Sequence, residues 1–248
     1  MPNLKISLIT SCYNAEAHIG RCIESVIAQN CPNLEYIIID GGSTDNTLSV
    51  IKKYESYISR IVTEPDKGVY DAMNKGIQLA TGEVVGTLNA DDYFAANDIL
   101  KTIENIFITK NTDIVYGDLD YVDFNETIIR RWRTKAYIKG IFNWGWMPPH
   151  PTFYCKRSLF DKLGLYKLDY GTAADYELML RFMHATNLNT FYINKVLIKM
   201  QLGGLSNKSF SNRLKAWEND LKAMRKNGIR LPLLTLIMKP VRKVLQFF

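Results

Sequence analysis

These 248 residues contain no CxxC pair, no metal-ligand spacing among the cysteines, and no apolar run near the length of a membrane span. Such a span needs ~20 residues. Cys12, Cys22, Cys31 and Cys155 therefore read as small hydrophobes in a reducing compartment, which excludes a disulfide-built fold. Ile6-Ser7-Leu8-Ile9 stands behind a single lysine and is too short for a signal peptide. GxGxxG does not follow the first apolar run, and no Gly-rich loop carries a Walker lysine. A Rossmann dinucleotide site and a P-loop are both excluded. Internal repeats and low-complexity stretches are missing too.

What is present is globular: 47% hydrophobic and 12% aromatic residues. A chain of this length can bury roughly three-quarters of its unfolded surface without staples. The formal net charge of +6 is local. Arg225, Lys226, Arg230, Lys239, Arg242 and Lys243 fall in residues 225–248, which hold no Asp or Glu. Removing those six from the 31 Lys and Arg leaves 25, equal to the 25 Asp and Glu. A neutral body argues against nucleic acid as a partner and for a tail with a separate task.

Residues 1–120 alternate strand-like and helix-like segments. Strands are expected at Ile6–Thr10, Tyr36–Ile39, Arg60–Thr63, Val84–Leu88 and Ile114–Tyr116, with helices over Ala17–Gln29 and about 46–57, 69–80 and 98–108. Nearly all-apolar strands separated by helices predict a mostly parallel sheet covered on both faces. Beyond about 118 the alternation stops. Tyr121–Phe124 and Thr127–Arg133 can pair as a hairpin, and the aromatic stretch to His150 holds Pro148 and Pro149, which forbid a regular element. Helical patterns resume at about 156–163, 174–185 and 209–226. This half reads as a lid or platform on the first.

In a parallel sheet all carboxyl ends share one edge, and ligands bind there. Here that edge carries Thr10-Ser11-Cys12-Tyr13-Asn14, then Asp40-Gly41-Gly42-Ser43-Thr44-Asp45, then Glu64-Pro65-Asp66-Lys67-Gly68, then Asn89-Ala90-Asp91-Asp92. Taken singly, Asp40 can shape a turn, Asp45 can cap a helix, and Asp91-Asp92 can form an Asx turn. Together, carboxylates after three neighbouring strands suit a divalent cation placed between protein and phosphates, or a grip on base and ribose. A nucleoside diphosphate leaving group follows from that arrangement.

Residues 6–14 (ISLITSCYN), 37–47 (IIIDGGSTDNT), 64–76 (EPDKGVYDAMNKG) and 82–93 (GEVVGTLNADDY) resemble the family 2 glycosyltransferases of GT-A fold. The likeness is to the small bacterial enzymes that build surface polysaccharides, and it covers about residues 4–210. It implies one GT-A domain over 1–224, with a nucleotide-sugar half to about 118 and an acceptor-side half from about 119, followed by the tail 225–248. It also implies inverting, metal-dependent transfer of one sugar from a nucleotide diphosphate donor. Asp40 would hold the base beside the Thr10–Asn14 loop, which includes Tyr13. Asp66 and Lys75 would lie near the nucleotide. Asp91 and Asp92 match the DxD-type element, with Asp92 the metal ligand (Mn²⁺ or Mg²⁺) and Asp91 nearer the ribose. Asn89 stands where many members have Asp, so that division between the two acids stays open.

By the same resemblance Asp175, in Ala173-Ala174-Asp175-Tyr176-Glu177, falls where the family has its catalytic base; a plain N-cap is the alternative. The first acid of the usual Glu-Asp pair is replaced by Ala174. His150, Trp146 and Ser206 are assigned to the acceptor or diphosphate side. A structural role for the histidine and the tryptophan competes with that assignment. The QxxRW motif of processive synthases is absent, which favours single additions. Two other classes stay in view: a nucleotide-sugar-binding partner that no longer transfers, and a sugar nucleotidyltransferase. The latter usually has a Gly-rich basic loop where this chain reads Thr-Ser-Cys-Tyr-Asn.

Leu231–Phe248 carries eleven hydrophobic residues in eighteen. Leu234, Ile237, Val241, Val244 and Phe248 share one helical face, largely opposite Lys239, Arg242, Lys243 and Gln246, with Pro240 between. Either this helix docks on the body or it lies on an anionic membrane surface; the second is expected, because the basic excess is confined here. The expected acceptor is then a lipid-linked saccharide, at the inner face of the cytoplasmic membrane.

Overall fold

The computed structural model describes residues 4–201, 210–244 and 246. Its first half follows the expected alternation: β1 (Ile6–Cys12), α1 (Ile19–Ile27), β2 (Leu34–Asp40), α2 (Thr47–Lys52), β3 (Arg60–Thr63), α3 (Val69–Leu79) and β4 (Val84–Asn89). β5 (Asp92–Phe94), α4 (Ile99–Lys110) and β6 (Ile114–Val122) come next. β1 pairs in parallel with β2 and β4, and β2 with β3. Alternate residues feed two cores, as period-2 geometry requires. Ile9, Ile37 and Ile39 face α3, while Leu8, Tyr36 and Ile38 face α1, α2 and α4.

The second half does not sit on the first as a lid; its strands enter the same sheet. β7 (Ile128–Trp132) pairs with β6 as the expected hairpin. β8 (Tyr154–Lys156) lies antiparallel between β4 and β6, and β9 (Thr190–Gln201) runs parallel to β6. The order is β3-β2-β1-β4-β8-β6-β9-β5, nine strands among the described residues once β7 is included. α5 (Ser158–Leu163), α6 (Ala174–Met179, continued by a wider turn to His184) and α7 (Phe210–Lys226) lie on the α3 side, where they contribute Leu159, Tyr176 and Met224 to one core. No described helix is long and apolar enough to cross a membrane.

The tail forms α8 (Pro232–Val244), continuous through Pro240. It docks on the body by its polar side. Thr235 donates to the Asn143 carbonyl (2.7 Å), Arg242 Nε to the Trp144 carbonyl (2.7 Å), and Lys239 Nζ to Asp220 (2.6 Å). Arg130 holds the Gln246 amide oxygen. A Cβ on Gly145 would lie 2.6 Å from the Lys239 nitrogen, so only glycine admits the helix this close. Leu233, Leu234, Ile237, Val241 and Val244 are left facing outward, Ile237 being 63% exposed. Docked surface helices ordinarily turn the apolar stripe inward; here most of it faces outward, and Leu236 packs against the core beside Thr235. Phe248 and Ser206 lie outside the described residues.

Candidate active site

The ends of β1, β2 and β4 are level, since Cys12 pairs with Asp40 and Ser11 with Asn89. The segments that follow them therefore meet at one edge. Tyr13 (60% exposed) and Asn14 stand there, with Asn14 Oδ1 accepting the Thr44 N–H at 2.9 Å. Thr10 does not. β1 runs two residues further than its apolar run suggests, so Thr10 is buried, 3.1 Å from the Tyr36 hydroxyl. Asp40 is buried at the strand end and accepts the N–H groups of Gly42 (3.1 Å) and Ser43 (3.0 Å) and the Ser43 hydroxyl. Asp66 accepts the Gly68 N–H at 2.7 Å, and its other oxygen packs where a Gly41 Cβ would be. Lys75 reaches Glu64 (2.8 Å) and the Pro65 carbonyl (2.9 Å), which anchors this loop to α3.

Asp91 and Asp92 lie where the chain leaves β4 for β5. Asp92 is 1% exposed; one of its oxygens accepts the Asn89 amide at 3.0 Å and the other has no partner among the described residues. Asn89 Oδ1 is orphaned in the same way. Burial first, then the Asp91 charge, push the Asp92 carboxyl well above the ordinary range. Burial raises Asp91 as well, against the pull of His18, just before α1, and of Arg21 within it. Unpartnered hard oxygens beside crowded carboxylates suit a hard cation. No described group of three or more His, Cys, Asp or Glu side chains could hold a metal by itself. Phosphate oxygens would have to complete such a shell, as is usual for Mg²⁺.

Asp175 opens α6 and accepts the Tyr176 N–H at 2.7 Å. Around it stands a cluster fixed by α3. Asn74 clamps residue 166 by both its carbonyl (2.8 Å) and its N–H (2.9 Å). Tyr166 then stacks on Tyr70 (5.4 Å between centroids), and its hydroxyl lies 2.7 Å from His150 Nε2. Burial, then the Asp175 charge, raise the Tyr70 phenol well above its usual pKa. His150 is buried; desolvation lowers its pKa while Asp175 acts in the opposite sense. It is thus both hydrogen-bonded structure and a neighbour of Asp175. Trp146 belongs to the core instead of the acceptor side. It is 4% exposed and packed against Phe142 (5.1 Å), because the turn before Gly145 points its ring inward and leaves Trp144 outside.

Tyr121 joins the two halves of the site. Its phenol pKa is raised by burial first; Arg130 opposes the rise, and the charges of both Asp92 and Asp175 add to it, so both carboxylates are felt at this ring. Tyr70, Tyr121 and Tyr166 were not foreseen as site residues. Only Tyr70 lay inside a recognisable motif.

A curled α/β sheet with carboxylates along its carboxyl edge, faced by an aspartate from the second half of the chain, is the layout of a GT-A glycosyltransferase. The profile of Glycosyl transferase family 2 matches residues 7–166, and the chain belongs to that family. It is 33% identical over 218 residues to a PGL/p-HBAD biosynthesis glycosyltransferase of Mycobacterium bovis, covering 84% of this chain and 83% of the relative. The fold matches S. aureus TarS 1-349 in complex with UDP-GlcNAc (TM-score 0.70, 17% identity, 90% of this chain and 66% of that one). The chain spans 39% of the longer TarS chain. It also matches the mannosyltransferase PcManGT of Pyrobaculum calidifontis in complex with GDP-Man and Mn2+ (TM-score 0.68, 17% identity, 96% of this chain and 72% of that one).

Proposed function

We propose that the protein adds a single sugar, with inversion, from a nucleotide diphosphate donor to a lipid-linked saccharide at the cytoplasmic face of the membrane. The observation that carries this reading is the carboxylate edge, where Asp92 is buried just past the end of β4 with one oxygen left without a partner among the described residues. The nucleotide sugars bound by TarS and PcManGT support the donor class. Tyr13, Asn14, Asp40, Asp66, Lys75 and Asp91 form the donor side. Asp175 takes the acceptor hydroxyl proton as that oxygen bonds to the anomeric carbon, while the opposite carbon–oxygen bond breaks and the diphosphate leaves with the electron pair. His150, Tyr166 and Tyr70 hold the wall against which Asp175 is set. Asp91 and Asp92, with donor phosphate oxygens, would hold a divalent cation, which supplies neutralisation of the departing charge. α8 would lie on an anionic bilayer by its outward apolar face.

Asp175→Asn tests the base. Transfer should fall ~10²–10⁴-fold with thermal stabilisation by the donor nucleotide retained. Saturation ~100-fold above Kd adds about 2.7 kcal/mol, read with Mn²⁺, Mg²⁺ or EDTA for UDP-, GDP- and dTDP-sugars. Equal loss of binding and transfer would remove Asp175 from this role. Stabilisation indifferent to EDTA would remove the cation.

A further inference from the structure

Ser11 stands one residue from the end of β1, 6% exposed, and its hydroxyl has no partner among the described residues. In the parallel pairing of β1 with β4, Ile9 lies opposite Thr87 and Ser11 opposite Asn89. Alternation along each strand puts Ser11 on the face of Ile9 and Asn89 on the face of Val85. Ile9 and Val85 belong to the core on the α3 side, which also takes in Tyr166 and, at its margin, Tyr70. Ser11 and Asn89 therefore share the face that carries these two tyrosines. Asn89 in turn donates its amide hydrogen to one oxygen of Asp92 at 3.0 Å. Three buried oxygens at this corner are left without a partner among the described residues: Ser11 Oγ, Asn89 Oδ1 and Asp92 Oδ1. Strands ~4.8 Å apart bring their side chains within reach of one ion whose bonds are ~2.0–2.1 Å. With Asp92 ionised, the three oxygens have one proton between them, on the serine. A bridging water would satisfy them as hydrogen bonds; a cation also meets the carboxylate charge.

We infer that Ser11 Oγ and Asn89 Oδ1 supply two neutral ligands to the divalent cation assigned above to Asp91 and Asp92. Hydroxyl, amide and carboxylate oxygens are all hard, the set that suits Mg²⁺ or Mn²⁺. Ligands without charge hold an ion more weakly than carboxylates do, so the cation is expected to enter together with the phosphates of the nucleotide. This inference rests on the transferase reading above and adds two residues to its cation site.

The experiment titrates Mn²⁺ into the full chain, alone and with UDP, GDP or dTDP, and reads free Mn²⁺ by electron paramagnetic resonance. Melting temperatures in EDTA show that each variant is folded. Ser11→Ala should weaken nucleotide-dependent Mn²⁺ binding about tenfold or more. In EDTA it should melt no lower than wild type, since it removes a buried hydroxyl that has no partner among the described residues. Asn89→Asp should bind Mn²⁺ about tenfold tighter without nucleotide, through its added charge. In EDTA this variant should melt lower, because it sets two carboxylates side by side. Equal Mn²⁺ affinity of wild type and Ser11→Ala overturns the assignment and leaves the hydroxyl to a water. Nucleotide-free affinity unchanged by Asn89→Asp overturns it too, as does a wild type that binds no Mn²⁺ with any nucleotide. If a nucleotide still stabilises the wild type after any of these results, the transferase reading stands without this site; if none stabilises it with or without Mn²⁺, both fall.

Discussion

Glu35 takes the Ser7 hydroxyl (2.5 Å), the Thr81 N–H (2.7 Å) and hydroxyl (2.6 Å), and Lys5 Nζ (3.2 Å). Burial alone would raise its carboxyl, but these donors outweigh it and bring the pKa down to about 2. The unfolded chain takes up this proton first, so the stabilisation is complete above about 4.5 and disappears as pH falls towards about 2. Thermal melts at pH 5 and pH 3 should show a large drop for wild type and a clearly smaller one for Glu35→Gln; equal drops would deny Glu35 this part. Single residues also mark how far a sequence can be read. Asp175 could be proposed because its neighbours resemble a family motif. Thr10 and Trp146 were misplaced because both choices depend on where a strand or turn ends, and side-chain direction reverses with one residue.

At the level of elements, helices with a clear apolar stripe were legible: Ile19, Cys22, Ile23 and Val26 of α1 all point inward as their spacing demands. β5 and β8 were not, since three residues are too few to show a period. β9 was hidden differently. Register shifts opposite Gly117 and Asp118 break its alternation with β6, and Asn194, Lys195 and Lys199 interrupt its apolar run. For α8 the amphipathic pattern was evident, but which face docks was not, because docking depends on Gly145, 94 residues upstream of Lys239 in effect as a missing Cβ. Gly145 has φ +71, and its neighbour is backbone, which cannot swing aside. Gly145→Ala should cost ~1–3 kcal/mol and expose residues 225–248 to protease. An unchanged melting temperature and digestion rate would show that α8 docks without this contact.

Over the whole molecule, the membrane role proposed for α8 would draw on both the charge excess and the outward apolar face. Vesicle flotation separates them. Ile237→Asp with Val241→Asp should release the protein from phosphatidylglycerol vesicles while leaving its melting temperature near wild type, because both side chains are already outside the core. Raising the salt should weaken only the cationic share. A double variant that floats like wild type would remove α8 from the membrane.

The insertion of β8 between β4 and β6 also sets a schedule for synthesis. A nascent chain that has completed β4 displays the open edge of its central strand until residues 154–156 leave the ribosome, several seconds later at ~5–20 residues per second. During that interval the most apolar part of the sheet can pair with any passing strand. Slow elongation through the Phe142–His150 stretch would lengthen this exposure, and chaperone demand in the cell should follow the translation rate of that short segment.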